Sequence, residues 1–249
     1  MTLLIRIFIL FFSCSLLGFA ADLEIKIDQK PVKLPYWPAI NPHYGGIVVV
    51  NGGEPAQWSE CLTHLAELLA KNGWSTVLLN SNPEITILWP KQVPGVIRAL
   101  RKNKNKRIVY IHYGPQLNTT LDYFSKPQGK GINGLVLLSA ADDKPSTVNP
   151  ASLRFPIYDV DGQFDYDDVE RQFSERSAVF ESSSYLSFEV PGADHEYTYA
   201  KELLVSFLTG WMLKIPESTV SAPPIDPKSL AQSYIVPIYA FESRLVAIK

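Results

Sequence analysis

Residues 107–116 read Arg107-Ile108-Val109-Tyr110-Ile111-His112-Tyr113-Gly114-Pro115-Gln116. A run of β-branched and aromatic residues stops at Gly-Pro, and helical spacing resumes at once over 116–124. That pattern is a strand, a tight turn and a helix with no intervening loop. Working outward, short apolar runs of the same kind recur at 46–51, 75–79, 134–138, 156–161 and 186–190. Helical patterns separate them at 56–72, 94–102, 164–176 and 196–213. Strands apolar on both faces and joined by helices predict an α/β fold of three layers, with a mostly parallel sheet between two layers of helices. In the first helix Trp58, Cys61, Leu62, Leu65, Leu68 and Leu69 form the apolar face, and Gly73 ends it. Residues 23–36 alternate and carry Pro31 and Pro35, which suits an edge hairpin ahead of the parallel part.

The two ends differ from the middle. Arg6 precedes an apolar stretch over 7–17, with small residues at Gly18 and Ala20. This is the pattern of a signal peptide cleaved after Ala20, an uncleaved anchor being the alternative reading. Export, most simply to a periplasm, is the expectation, with no stable membrane span once residues 1–20 are gone. Their removal takes Arg6 from 23 basic residues and leaves 25 acidic ones, a net charge of −3. It also takes Cys14, so Cys61 has no partner for an internal disulfide and reads as a small buried hydrophobe. The basic cluster over 101–107 lies at a helix end, where cations suit the dipole, so nucleic acid is not an expected partner. A domain over 21–214 is followed by a Pro-rich linker at 215–228 and an apolar tail at 229–249. The tail reads as a strand docked on its own domain, or else as one offered to a partner.

Ligands of an open parallel sheet sit beyond the carboxyl ends of its strands. The residues just after each run are therefore the candidates: Asn51-Gly52-Gly53, His112-Tyr113-Gly114-Pro115-Gln116, Ser139, Asp161 to Asp165, and Asp194-His195. His43 and His64 lack partners at metal-ligand spacing, and the Asp161, Asp165, Asp167, Asp168 group does not match a calcium loop, so neither metal nor cofactor is expected. The stretch between Ser139 and Pro156 is only a loop, so no lid domain is expected and the site should be open.

The order of these elements resembles the α/β-hydrolase superfamily over roughly 45–213. Within it, the chain resembles uncharacterised exported α/β-hydrolase-like proteins of Gram-negative bacteria. The resemblance places His195, opening the last helix, at the catalytic histidine, and Asp165 at the acid that orients it. Asn51, Gly52 and Gly53 match the loop that helps form an oxyanion hole. The family's G-x-S-x-G turn falls on residues 112–116, so Gly114 stands where the nucleophile would be and both flanking glycines are absent. Glycine has no side chain to attack a carbonyl. It also relieves the strained backbone that such a turn imposes. Tyr113 and Ser139 are the other hydroxyls near the turn. Tyr113 is a poor nucleophile, and Ser139 is expected to lack both a strained turn and a base. These residues imply a catalytically degenerate hydrolase fold that binds an unknown ligand or an envelope partner. The alternative is an unconventional, esterase-like hydrolase in which His195 and Asp165 activate water.

Overall fold

The structure is a computed structural model, which describes residues 20–144, 148, 153–180 and 184–217. The expected signal segment up to residue 19, all but the start of the linker, and the tail lie outside them. The described chain forms strands β1 (Ala21–Ile27), β2 (Lys30–Trp37) and β3 (Gly45–Asn51), helix α1 (Ser59–Lys71) and β4 (Trp74–Leu79). It continues through α2 (Trp89–Lys102), β5 (Ile108–Tyr113), α3 (Leu117–Ser125), a 3₁₀ turn (Pro127–Gly131) and β6 (Gly134–Leu138). β7 (Ile157–Phe164), α4 (Asp167–Val179), β8 (Tyr185–Asp194) and α5 (Lys201–Met212) complete it.

The strands make one sheet of eight in the order β1-β2-β4-β3-β5-β6-β7-β8. β3 to β8 run parallel, while β1 pairs antiparallel with β2 and β2 with β4. The expected edge hairpin is thus present, closed by Asp28 and Gln29 with φ of 48° and 65°, the backbone that a two-residue hairpin turn demands. Side chains alternate along each central strand, so one strand feeds two cores. Ile47, Val49, Val109 and Ile111 meet α1 and α5 through Leu62, Leu65, Leu204 and Leu208. Val48, Val50, Ile108 and Tyr110 meet α2 and α3 through Val93, Leu100, Leu121 and Phe124. All eight of these strand residues are fully buried, each contributing about 1.5–3 kcal/mol relative to exposure.

Several boundaries differ from expectation, each for a local reason. α1 begins at Ser59 and not at 56, because Ala56 and Trp58 both have positive φ (73° and 53°). α2 begins at Trp89, since Pro90 suits a first turn and Pro94 forfeits only one bond inside the helix. β7 runs on to Phe164 through an irregularity at Gly162, where an added Cβ would stand 2.8 Å from the Ala193 carbonyl. α5 begins at Lys201, so His195 does not open it. Instead Asp194 Oδ1 accepts from the Thr198 N–H at 2.7 Å and caps a separate turn, with Tyr197 at φ 53°.

α4 has Val169 as its one buried residue among those described. It is held by an ion pair that the sequence pattern did not announce. Arg176 Nε and an Arg176 Nη bond the two Asp159 oxygens at 2.6 and 3.1 Å, and Tyr185 donates to Asp159 at 2.6 Å. Two residues of the basic cluster are also structural. Arg107 donates to the Ile215 carbonyl at 2.7 Å, and Arg101 donates to Asn133 at 2.9 Å.

Candidate functional site

The turn after β5 is the centre of the arrangement. Gly114 has φ 78° and Gln116 φ 64°, which lets the chain reverse into α3 within three residues. The Gly114 N–H donates to the Leu138 carbonyl at 3.2 Å, and its own carbonyl accepts from the Ala141 N–H at 3.1 Å. Beneath it His112 is fully buried, and burial pushes its pKa down to about 4, so the ring is neutral at physiological pH. Its contacts fix the tautomer: the Thr120 hydroxyl donates to Nδ1 at 2.8 Å, and Nε2–H donates to the Gly114 carbonyl at 3.1 Å. His112 therefore clamps the turn and has no free nitrogen for chemistry. Tyr113 points to the opposite face of the sheet, where its hydroxyl donates to the His195 carbonyl at 3.0 Å. Burial drives that phenol far above its ordinary range, so it stays neutral.

His195 and Asp165 do meet. Nδ1 of His195 lies 2.6 Å from Asp165 Oδ1, and both side chains are buried. Oδ1 also accepts from the Tyr166 N–H at 2.8 Å, and Oδ2 accepts from the Ser139 hydroxyl at 2.5 Å. Burial acts to raise the Asp165 pKa, but hydrogen bonds from His195, Asp161 and Ser139 outweigh it and hold the group low. Asp161, buried beside it, shifts the other way, up to about 8, through burial and its hydrogen bond to Asp165. One carboxyl keeps a proton and the other stays ionised.

Ser139 departs from expectation. It has the left-handed φ of 46°, is fully buried, and its hydroxyl is shared between Asp165 and the Tyr197 hydroxyl at 2.8 Å. The signal in the sequence was its position at a strand end. Its direction toward the β7 loop depended on backbone geometry that a one-dimensional pattern does not carry. Cys61 matches expectation: it is buried, its Sγ lies 3.1 Å from the Glu196 carbonyl, and burial pushes its pKa up to about 11. Of the acidic group, Asp168 turns away to pair with Arg171 on exposed α4.

Around Gly114 the expected oxyanion donors are already engaged. Gly52 N–H donates to the Tyr113 carbonyl at 2.9 Å, and Gly53 N–H to Asn51 Oδ1 at 3.0 Å. The Asn51 amide in turn donates to the carbonyls of Glu54 and Gln57 at 3.1 and 2.6 Å, fixing the loop. The residue after Gly114 is Pro115, which has no N–H to offer. Gly52 is needed for contact with it, as an added Cβ there would stand 1.7 Å from the Pro115 carbonyl oxygen.

Trp58, which the helical pattern assigned to the α1 core face, does pack against that core, but its reach into the site is what sequence reasoning missed. Its six-membered ring wedges between two glycines. The same ring carbon would lie 2.6 Å from a Cβ on Gly53 and 3.4 Å from one on Gly114. The indole meets Tyr113 edge-on at 5.6 Å and lies 5.1 Å from the His195 ring. Tyr166, half exposed, stacks on the outer side of the same imidazole at 4.5 Å. His195 Nε2, at the ring edge away from Asp165, is buried and has no hydrogen-bond partner among the described residues. Ala56 and Trp58 both have positive φ, a backbone feature that nothing in residue type signalled.

No protein-family model matches the chain, and no curated protein sequence matches it. Solved structures do. A dienelactone hydrolase from Anabaena variabilis superposes with a TM-score of 0.61 at 14% identity, over 80% of this chain and 99% of that one. The esterase domain of a Rhodothermus marinus protein gives 0.58 at 8% identity, over 79% and 99%. An α/β serine hydrolase without a lid, from Xanthomonas campestris, gives 0.58 at 10% identity, over 80% and 96%. At these identities the likeness establishes architecture. The chain has the α/β-hydrolase fold: a mostly parallel sheet, helices on both faces and, among the described residues, no lid domain between β6 and β7. Among the described residues no helix is long and apolar enough to cross a membrane.

Proposed function

We propose that this is an exported α/β-hydrolase-fold protein that binds a ligand or an envelope partner through its former active-site face, without serine-hydrolase chemistry. One observation carries the reading: the seat for an acyl substrate is taken apart at every point. Gly114 supplies no nucleophile, Pro115 supplies no N–H, Gly53 N–H is held by Asn51, and the Trp58 indole fills the space between. Acyl transfer needs a nucleophile and donors aimed at the developing oxyanion, and loss of one donor alone costs about 10²–10³ in rate. Export is read from residues 1–20 and a cell-envelope location follows from it. The test is to treat the purified protein with a fluorophosphonate probe. No labelling is expected, and labelling abolished by changing a single serine overturns the reading.

A second reading has its own support in the His195–Asp165 pair and the unpartnered Nε2. An imidazole oriented by a carboxylate can deprotonate water and act as an esterase-like general base. An ester-hydrolysis screen decides between them. Activity lost in His195→Ala favours the second reading, and its absence from the wild type favours the first.

A further inference from the structure

The former active site contains a seat already shaped for a flat ring. Its walls are the Gly53 and Gly114 backbones, the edge-on ring of Tyr113 and the imidazole of His195. Trp58 fills it in this structure, yet leaves His195 Nε2 buried without a hydrogen bond. Other buried atoms of the described chain are in the same condition, the Tyr110 and Tyr123 hydroxyls among them, but His195 Nε2 is the one that belongs to this site, beside the seat. With Nδ1–H donated to Asp165, the tautomer this contact selects carries its lone pair on Nε2, so the missing group is a donor. Trp58 holds this place through ring contacts and through a loop tied down by Asn51, not through a hydrogen bond to His195. Both Trp58 and Ala56 occupy left-handed backbone that residues with side chains seldom adopt. Charge narrows the ligand further. Glu54 and Glu196 are exposed next to Gly53 and His195, and Asp165 is ionised behind the imidazole, so an anionic ligand is disfavoured.

We propose that the slot between Gly53 and Gly114 binds a small neutral phenol, whose ring displaces the Trp58 indole and whose hydroxyl donates to His195 Nε2. This rests on the reading that the face binds and does not hydrolyse. The experiment is a two-dimensional NMR titration of the purified protein with phenol, toluene and 4-hydroxybenzoate. Trp58→Phe identifies the Trp58 indole resonance. Phenol should move that resonance and the His195 imidazole signals together. Toluene, which cannot donate, should bind about two- to tenfold more weakly, and 4-hydroxybenzoate more weakly than phenol. In Trp58→Ala the seat is no longer occupied by the chain itself, so phenol should bind at least roughly tenfold more tightly. In His195→Phe the preference for phenol over toluene should vanish.

Phenol that leaves both resonances unmoved, or toluene that binds as well as phenol, overturns the proposal. So does a folded Trp58→Ala variant that binds phenol no more tightly. The wild-type titrations decide the matter even if that variant does not fold. An ester screen on the same samples separates the two ideas. Ester hydrolysis with intact phenol binding sinks the functional reading alone, whereas an inactive protein blind to phenol sinks the seat alone.

Discussion

Replacing Gly114 with serine restores the residue type that the fold's hydrolases use, and the structure says how little this should achieve. The backbone there has φ 78°, where a side chain costs roughly 1–2 kcal/mol. The new Cβ would meet the Trp58 ring at 3.4 Å, an ordinary contact, but a hydroxyl beyond it must compete with the indole. For a chain of this size about 1–2 kcal/mol lowers the melting temperature by roughly 2–8 °C. Chemistry should gain little, because Pro115 still has no N–H and Gly53 N–H is still held by Asn51. Missing one such donor costs about 10²–10³ in rate. The measurements are thermal unfolding, p-nitrophenyl acetate hydrolysis and phosphonate labelling of Gly114→Ser beside the wild type. A lower melting temperature with neither labelling nor hydrolysis is expected. Stoichiometric labelling at the new hydroxyl, or a variant as stable as the wild type, refutes the argument that turn and donors were lost together.

Other consequences follow from the buried charges. Asp161 has a raised pKa in the fold, so the native state holds a proton that the unfolded chain releases, and stability should fall as pH rises from about 4 to about 8. Urea unfolding across that range should show a shallower loss for Asp161→Asn than for the wild type; parallel curves would count against the shared proton. His112 acts in the opposite sense. Its pKa is lowered to about 4, so its contribution to stability, present above about 6.5, should fade as pH drops toward 4, and His112→Gln should lose that acid sensitivity in the same assay. Arg176→Met leaves Asp159 buried with only the Tyr185 hydroxyl and should cost about 3–5 kcal/mol in chemical unfolding, part of it recovered in Asp159→Leu/Arg176→Met. Cys61, buried and with its pKa near 11, should react with a thiol-disulfide reagent only after unfolding; fast reaction in native buffer would contradict its placement.

What could be read in the sequence was whatever one side chain fixes alone. Strands β3 to β6 were legible because continuous β-branched runs have no other stable use at that length, and 134–138 matched its strand end to end. The hairpin was legible from alternation and edge prolines. His195 and Asp165 were found because each follows a strand end on the side where ligands gather. Illegible features were those set by backbone conformation or by partners distant in sequence. Ser139 meets Asp165 across 26 residues, and Arg176 meets Asp159 across 17. Trp58 has the spacing of a core residue and packs on the core, but its ring also reaches Gly53 and Gly114, contacts that spacing does not carry.

The same distinction bears on how the site should be understood. A missing serine alone would describe a hydrolase with one part removed. Here the supporting residues are used positively: Asn51 closes its own loop, His112 clamps the turn, Tyr113 pins the His195 carbonyl, and Ser139 steadies the acid. Such bonds satisfy buried groups that an active oxyanion hole would leave open for substrate. The exception is His195 Nε2. Among the described residues of the site, the buried side-chain nitrogen left without a partner is the one across the imidazole from Asp165. That open acceptor is the atom that the donor of the proposed ligand would complete.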